Sequence, residues 1–480
     1  MNIKLILKTL GLVMYIEALC MFAALVVGLF FGESPKPFAL AMLTALAVGV
    51  PLSSLKPRSR RFFARDGLVA VSFIWIIISL VGALPFFFSG EFPSFIDCLF
   101  ESVSGFTTTG ASILSEIETL PNGILFWRSM THFLGGMGVL VLVMALLPTI
   151  GDGTHNILSA ESTGPSPDRI VSTISGSAKI LYLMYVVLTA AEMLTLRFVA
   201  RLPWYDSVIN AFSTAGTGGF SSLNNSIAGY DNPAAEMIIA IFMLLFGVNF
   251  SVFFLLVTGQ VRKALRNSEL IFYVSVVAAA IAAMTLNTYS IYGTVGKTLR
   301  YTFFQTASII TTTGFVTTDF DLWPTFSKGV ILILMLIGGC AGSTGGGMKC
   351  SRILILLKSL RREVRRMRHP RLVSSIMMDG QPIPETVVTN TLQFFFSYFC
   401  LVIIGTMLIS FENIDLTSTV SAVITCISNV GPGFNMVGAT QNFDFFSGFS
   451  KTVLSVLMLA GRLEIFPVLI LFSKSTWTEK

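Results

Sequence analysis

Runs of about twenty apolar residues recur along this chain, separated by charged residues, glycine and proline. They lie near residues 5–31, 37–55, 68–88, 122–148, 178–200, 234–258, 269–292, 327–357, 387–411 and 447–472. The hydrocarbon core of a bilayer is about 30 Å thick, and roughly 20 apolar residues of helix cross it. Composition agrees: charged residues make up 12% of the 480 positions, against about 25% in soluble domains. The chain reads as an all-α polytopic membrane protein. The N-terminal stretch MNIKLILKTLGLVMYIEALCMFAALVVGLFFG has Lys4 and Lys8 ahead of an apolar run too long for a signal peptide, so it reads as a retained helix.

The basic residues orient these spans. KPRSRRFFAR (56–65), VRKALRN (261–267), KSLRREVRRMRHPR (358–371) and the 149–177 connection all follow even-numbered spans. The positive-inside rule makes those loops cytoplasmic, with both termini inside. The opposite loops hold Glu91, Glu116, Glu118, Asp231, Asp319, Asp321, Glu412 and Asp415. A net charge of +6 therefore describes a polarised membrane protein and not a nucleic-acid binder. Beside a span, the 358–371 run reads as a topogenic segment in contact with lipid headgroups. Cys20, Cys98, Cys340, Cys350, Cys400 and Cys426 are scattered without a CxxC pair and read as buried small apolar side chains.

The outer connections carry an internal repeat. FIDCLFESVSGFTTTGAS, WYDSVINAFSTAGTGGFSS, TLRYTFFQTASIITTTGFVT and LTSTVSAVITCISNVGPGF each end a short apolar segment in a glycine-containing tetrad. The tetrads TTTG, AGTG, TTTG and SNVG finish at Gly110, Gly218, Gly314 and Gly431, with one span before and one after each. The expected architecture is four pseudo-symmetric helix, pore loop, helix repeats around one pore, plus two N-terminal helices. The domain limits are 1–60 for the N-terminal pair, then 61–150, 151–260, 261–372 and 373–480 for the repeats.

Non-helical backbone at membrane depth is tolerated only where protein or a water-filled cavity satisfies its polar groups. Four such loops entering from one side can meet around a common axis, where spare carbonyls replace the hydration shell of a cation. Glycine reaches positive φ cheaply, and threonine adds a hydroxyl oxygen. The tetrads hold no carboxylate, which favours a monovalent ion over Ca²⁺ or Mg²⁺. The preceding half-helices aim their C-terminal ends, with about half a negative charge, at the same centre.

With its tetrads, FLGGMGVLVL, GGCAGSTGGGMK and GRLEIF, the chain resembles the Trk/Ktr/HKT superfamily of potassium transporters along its whole length, and within it the TrkH-type subunits of bacterial Trk systems. The resemblance implies a K⁺ selectivity filter lined by Thr107, Thr108, Thr109 and Gly110, by Gly216, Thr217 and Gly218, by Thr312, Thr313 and Gly314, and by Asn429, Val430 and Gly431. Glycine at position 110 goes with K⁺ passage in this family, and serine there with a preference for Na⁺. The unequal tetrads imply looser selectivity than in a tetrameric K⁺ channel. The resemblance also implies a homodimer in the bacterial inner membrane and a TrkA-like cytoplasmic nucleotide-binding regulatory subunit. The 358–371 and 149–177 segments are its expected docking sites.

GGCAGSTGGG (338–347) interrupts the eighth span with six glycines, each costing roughly 1 kcal/mol relative to alanine in a helix. It lacks the preceding strand and terminal GK[ST] of a phosphate-binding loop. It reads as a flexible flap, and the resemblance places Gly342, Ser343, Thr344, Gly345, Gly346 and Gly347 beneath the filter as a gate. Arg462 falls mid-span, where a charge must face the pore or a partner. It is expected to project beneath the filter as a barrier to cations, with Glu464 on another face of the helix. Glu17 and Glu192 are expected to snorkel or pair between helices, Glu101 to satisfy pore-helix backbone and Asn249 to bridge helices. His132, His155 and His369 are too dispersed for a metal site or triad. Two other classes compete. A secondary transporter coupling K⁺ or another solute to Na⁺ or H⁺ would need half-helix N-termini facing its substrate. A membrane enzyme would need a nucleophile, metal or acid–base cluster, and none stands out.

Overall fold

The computed structural model describes residues 2–57, 64–138, 174–369 and 374–477. The 149–173 part of one basic connection, the end of the 122–148 span and His155 lie outside them. The helices in chain order are α1 (Ile3–Phe30), α2 (Lys36–Ser53), α3 (Ala64–Gly82), α4 (Leu84–Ser89), α5 (Phe95–Phe106), α6 (Asn122–Gly136), α7 (Ile174–Phe198) and α8 (Trp204–Gly216). They continue with α9 (Pro233–Phe246), α10 (Phe250–Val257), α11 (Val261–Leu265), α12 (Ser268–Tyr292), α13 (Val295–Ile310), α14 (Thr325–Ile337) and α15 (Cys350–Arg368). The last are α16 (Glu385–Ile409), α17 (Leu416–Ser428), α18 (Gly448–Arg462), α19 (Phe466–Leu471) and α20 (Lys474–Trp477). One short hairpin, β1 (Met377–Met378) and β2 (Gln381–Pro382), separates α15 from α16.

Among the described residues, six helices are long and apolar enough to cross a bilayer: Ile3–Phe30, Lys36–Ser53, Arg65–Ser89, Gly176–Phe198, Ser268–Tyr292 and Glu385–Glu412. Their outward faces keep large apolar side chains such as Leu286, Phe396 and Met407 exposed, as lipid contact requires. Inside, Met21, Ala24, Ile74, Trp75, Phe86, Phe100, Phe106 and Trp127 build a core shared by α1, α3, α4, α5 and α6.

The spans that follow the tetrads are broken: against expectation in the 122–148, 234–258 and 447–472 runs, and at the expected glycine-rich interruption in the 327–357 run. Helix α6 ends at Gly136, with Gly138 at φ 78°. The 234–258 run is two helices, α9 and α10, bent by 92°. The 327–357 run stops at Ile337 and restarts at Cys350, and the 447–472 run stops at Arg462, with Glu464 and Ile465 at positive φ. Close packing supplies the reason in the first three. Gly136 lies against Gly216, Gly247 against the Thr311 side chain, and Gly346 against the Ser428 carbonyl, each at the tail of the next repeat's short helix. An unbroken helix with side chains could not approach so near.

Candidate functional site: a closed ring and the loop beneath it

Four short helices, α5, α8, α13 and α17, run into the four tetrads and end in the same way. A residue in the left-handed region follows each helix: Thr108 (φ 56°), Thr217 (56°), Thr312 (58°) and Asn429 (55°). The next backbone N–H then reaches back into the last helical turn. Thr109 N donates to Ser104 O at 2.9 Å, Gly218 N to Ser213 O at 2.9 Å, Thr313 N to Ser308 O at 2.8 Å and Val430 N to Thr425 O at 2.9 Å. This is the Schellman closure, normally made by glycine. Threonine in the left-handed region is rare and strained, and such strain gathers at functional sites. The helices start with polar caps in two cases, Ser94 for α5 and Asp415 for α17. The Ser418 hydroxyl and amide hold the Asp415 carboxyl below its ordinary value.

Two residues beyond each left-handed position stands a glycine at positive φ: Gly110, Gly219, Gly314 and Gly431. A Cβ on Gly110 would fall on the Gly218 carbonyl, on Gly219 it would fall on the Thr313 carbonyl, and on Gly314 on the Val430 carbonyl. On Gly431 it would lie 2.6 Å from the Thr109 carbonyl. Repeat one therefore touches two, two touches three, three touches four, and four returns to one. The tetrads close a ring.

The ring also corrects the register of the second tetrad. Its backbone equivalent of TTTG is Gly216-Thr217-Gly218-Gly219, one residue later than AGTG, so Gly219 joins the residues anticipated from sequence. The pair Gly219–Phe220 matches Gly314–Phe315, and that signal was present in the chain. Side chains brace the ring: Thr107 Oγ1 lies 2.8 Å from Thr109 Oγ1, Thr311 Oγ1 lies 2.8 Å from Thr313 Oγ1, and Asn429 Nδ2 donates to Thr109 Oγ1 at 2.9 Å across the seam between repeats four and one. Thr108 Oγ1 is buried without a hydrogen-bond partner.

The glycine-rich segment between α14 and α15 lies against this ring. Gly346 N donates to Thr312 Oγ1 at 2.6 Å and Gly347 N to Ser428 O at 2.8 Å, in repeats three and four. Cys340 N donates to Gly247 O at 2.9 Å, Thr344 Oγ1 to Phe246 O at 3.2 Å, and Phe250 N to Gly342 O at 3.1 Å, all at the α9–α10 bend of repeat two. Arg462 supplies the link to repeat one: Nη1 donates to Thr344 O at 2.8 Å, and Nη2 to the carbonyls of Gly135 and Gly136, the latter at 2.7 Å. The segment is thus bonded directly to repeats two, three and four and is linked to repeat one through the Arg462 side chain. Lys349 Nζ folds back onto Gly345 O, and Glu464 pairs with Arg352.

The family described as TrkH, cation transport protein, matches residues 34–272 and 268–479. The chain belongs to the TrkH family. It is 37% identical to the Trk system potassium uptake protein TrkH of Salmonella typhimurium and 36% identical to that of Escherichia coli, each over the full length of both chains. The Trk system potassium uptake protein TrkG of Escherichia coli is 31% identical over 99% of each. The crystal structure of the potassium transporter TrkH from Vibrio parahaemolyticus superposes with a TM-score of 0.89 at 32% identity, covering all of both chains.

In this TrkH-family chain several buried polar residues have placements or contacts that the sequence reading did not specify. Glu17 and Glu192 are buried, so of the two expected placements, snorkelling and pairing between helices, the first is excluded. Asn249 caps α10 through Ser251 N at 2.8 Å, at the bend itself. Glu101 does accept backbone Ile113 N at 3.2 Å, but its closest contact is Arg128 Nε at 2.5 Å, with both side chains buried. Arg128 also stacks 3.7 Å over the Phe220 ring and donates to Ser221 O, so this pair fastens repeat one to the loop after the second tetrad. Removing one partner of a buried pair strands the other charge, at a cost of roughly 3–5 kcal/mol. Arg128→Ala is expected to lower the thermal unfolding midpoint in detergent far more than substitution of the half-exposed Arg366; equal midpoints would show that the pair does not hold the seam.

Proposed function

We propose that this protein takes up K⁺ through the ring of four tetrads, gated by the glycine-rich loop beneath it. The observation that carries the reading is the cyclic contact of Gly110, Gly219, Gly314 and Gly431 with carbonyls of the neighbouring tetrads. Such a ring offers backbone oxygen and threonine hydroxyl to a dehydrating monovalent cation. Four helix C-termini converge on it, and their partial negative charge favours a cation. The relatives' names as potassium uptake proteins support K⁺ as the ion. The membrane potential supplies about 2.3 kcal/mol per charge per 100 mV for inward movement.

In this reading Thr344 and its glycine neighbours obstruct the path below the ring, and Arg462 adds a positive charge there that disfavours cation passage while the loop is seated. The basic loops face the cytoplasm of a bacterial inner-membrane protein, both termini lie inside, and a TrkA-like nucleotide-binding subunit acts on a homodimer from that side. The printed name "Trk system" on the relatives supports a multi-component assembly.

The test is flux. Purified protein in liposomes is expected to pass Rb⁺ in preference to Na⁺ and to exclude choline, and Gly110→Ser is expected to lower Rb⁺ flux and shift passage towards Na⁺. Absence of cation flux in both, with the regulatory subunit present, would overturn the pore reading.

A further inference from the structure

The hairpin between α15 and α16 turns on Asp379 and Gly380, both at positive φ (49° and 79°). Two such residues make the tight turn that matches strand twist. Its tip is fastened to the start of α12. Asp379 Oδ1 accepts from Ser268 N at 2.6 Å, Oδ2 accepts from Asn267 Nδ2 at 3.2 Å, and Asp379 N donates to Ser268 Oγ at 3.3 Å. Asn267 in turn caps α12 through Leu270 N at 2.9 Å.

The next residue is Glu269, which is buried. One of its carboxylate oxygens accepts two backbone bonds, from Ala341 N at 2.7 Å and from Ser351 N at 2.9 Å. Those amides flank the gate residues 342–347: Ala341 stands directly before them, inside the glycine-rich segment, and Ser351 lies four residues after them in the first turn of α15. A single oxygen thus draws together the two sides of residues 342–347. Charge-assisted bonds of this kind are about twice as strong as neutral ones, and burial of a carboxylate is tolerated only when such partners satisfy it. The hairpin is also tied to α15 by Lys358 Nζ, which donates to Met377 O at 2.8 Å.

We propose that Glu269 and Asp379 are positioning residues of the gate: Glu269 clasps residues 342–347 from both sides in their seated place, and Asp379 connects that clasp to the exposed hairpin. A displacement of the hairpin then pulls on the first turn of α12 and releases Ala341 and Ser351 together. The inference rests on the reading of residues 342–347 as a gate. It adds a mechanical route from the surface that carries the basic residues to a loop buried under the ring.

The experiment compares Rb⁺ uptake and the Rb⁺/Na⁺ ratio of the reconstituted full-length protein with Glu269→Ala, Glu269→Gln, Asp379→Gly, the Glu269→Ala/Asp379→Gly double variant and Gly346→Ala. Loss of hydrogen bonds to a charged group is expected to raise basal uptake about tenfold in Glu269→Ala, with the ion ratio unchanged because the ring is untouched. Gln keeps an acceptor oxygen and should restore uptake to near the unsubstituted level. Glycine suits the turn at residue 379, so Asp379→Gly removes the carboxylate without straining the hairpin; roughly a threefold rise is expected. The double variant should match Glu269→Ala alone, since Asp379 acts through Glu269. Multiplied effects in the double variant would overturn the connection. Unchanged uptake in Glu269→Ala, with altered uptake in Gly346→Ala, would overturn the clasp and leave the gate standing. Unchanged uptake in both would remove the gate reading and the clasp with it. If Glu269→Ala fails to assemble, Asp379→Gly decides alone, and unchanged uptake there overturns the route.

Discussion

Gly314→Ala is expected to reduce Rb⁺ uptake by about a hundredfold in protein that still assembles in the membrane. At φ 83° a residue with Cβ is strained, and the Cβ would also fall on Val430 O and lie 2.8 Å from Pro432 Cδ. Local strain of this sort costs about 1–3 kcal/mol, and each 1.4 kcal/mol is roughly tenfold in a rate. The Val430 carbonyl must move to relieve the overlap, and in a closed ring the displacement of one carbonyl changes the geometry of its neighbours. The control is Gly329→Ala in α14, where an added Cβ meets nothing within 4 Å and alanine is the better helix former. Uptake measured on both variants in the same liposomes decides the matter. Equal uptake would mean that ring closure at the third tetrad has no part in conduction.

Arg462→Ala is expected to raise uptake at least tenfold in the absence of any regulatory subunit. The guanidinium holds Thr344 with one nitrogen and Gly135 and Gly136 with another. Hydrogen bonds to charged groups contribute about 1.5–3 kcal/mol each, and their loss frees the centre of the loop from repeat one. In the proposed reading the same substitution also removes a positive charge that opposes a cation. Arg462→Lys separates the two effects. Lysine keeps the charge but presents a single point instead of a planar fork. If the charge alone forms the barrier, the lysine variant conducts like the unsubstituted protein; if fastening matters, it conducts like the alanine variant. Unchanged flux in Arg462→Ala would remove the barrier role altogether.

Much of this was legible in the chain. Hydropathy marked the spans, because lipid demands long apolar helices whatever their neighbours. The four tetrads marked the loops, because glycine and threonine at matched positions between paired spans have few structural uses. Arg462 stood out because a mid-span charge needs a partner, although its partners, three carbonyls from two repeats, are far away in sequence. The breaks at Gly247 and after Arg462 were not foreseen, since apolar periodicity continues through them. Gly219 was missed because tetrads were aligned by composition, while the helix closure at Thr217 sets their true register. Glu269 and Asp379 gave no signal at all: a glutamate at the start of a span looks like an ordinary helix-terminal acid.

The sequence by itself determined where the chain enters lipid and which four segments are too irregular to cross it, because both follow from local composition and the cost of unsatisfied backbone. Only the tertiary structure decided that these segments close a ring in chain order, that residues 338–347 are bonded against it, and that one oxygen of Glu269 holds Ala341 and Ser351 on the two sides of residues 342–347. Those arrangements depend on contacts between residues separated by tens to hundreds of positions, and hydrogen bonds and close glycine approaches of that range leave no period in the sequence.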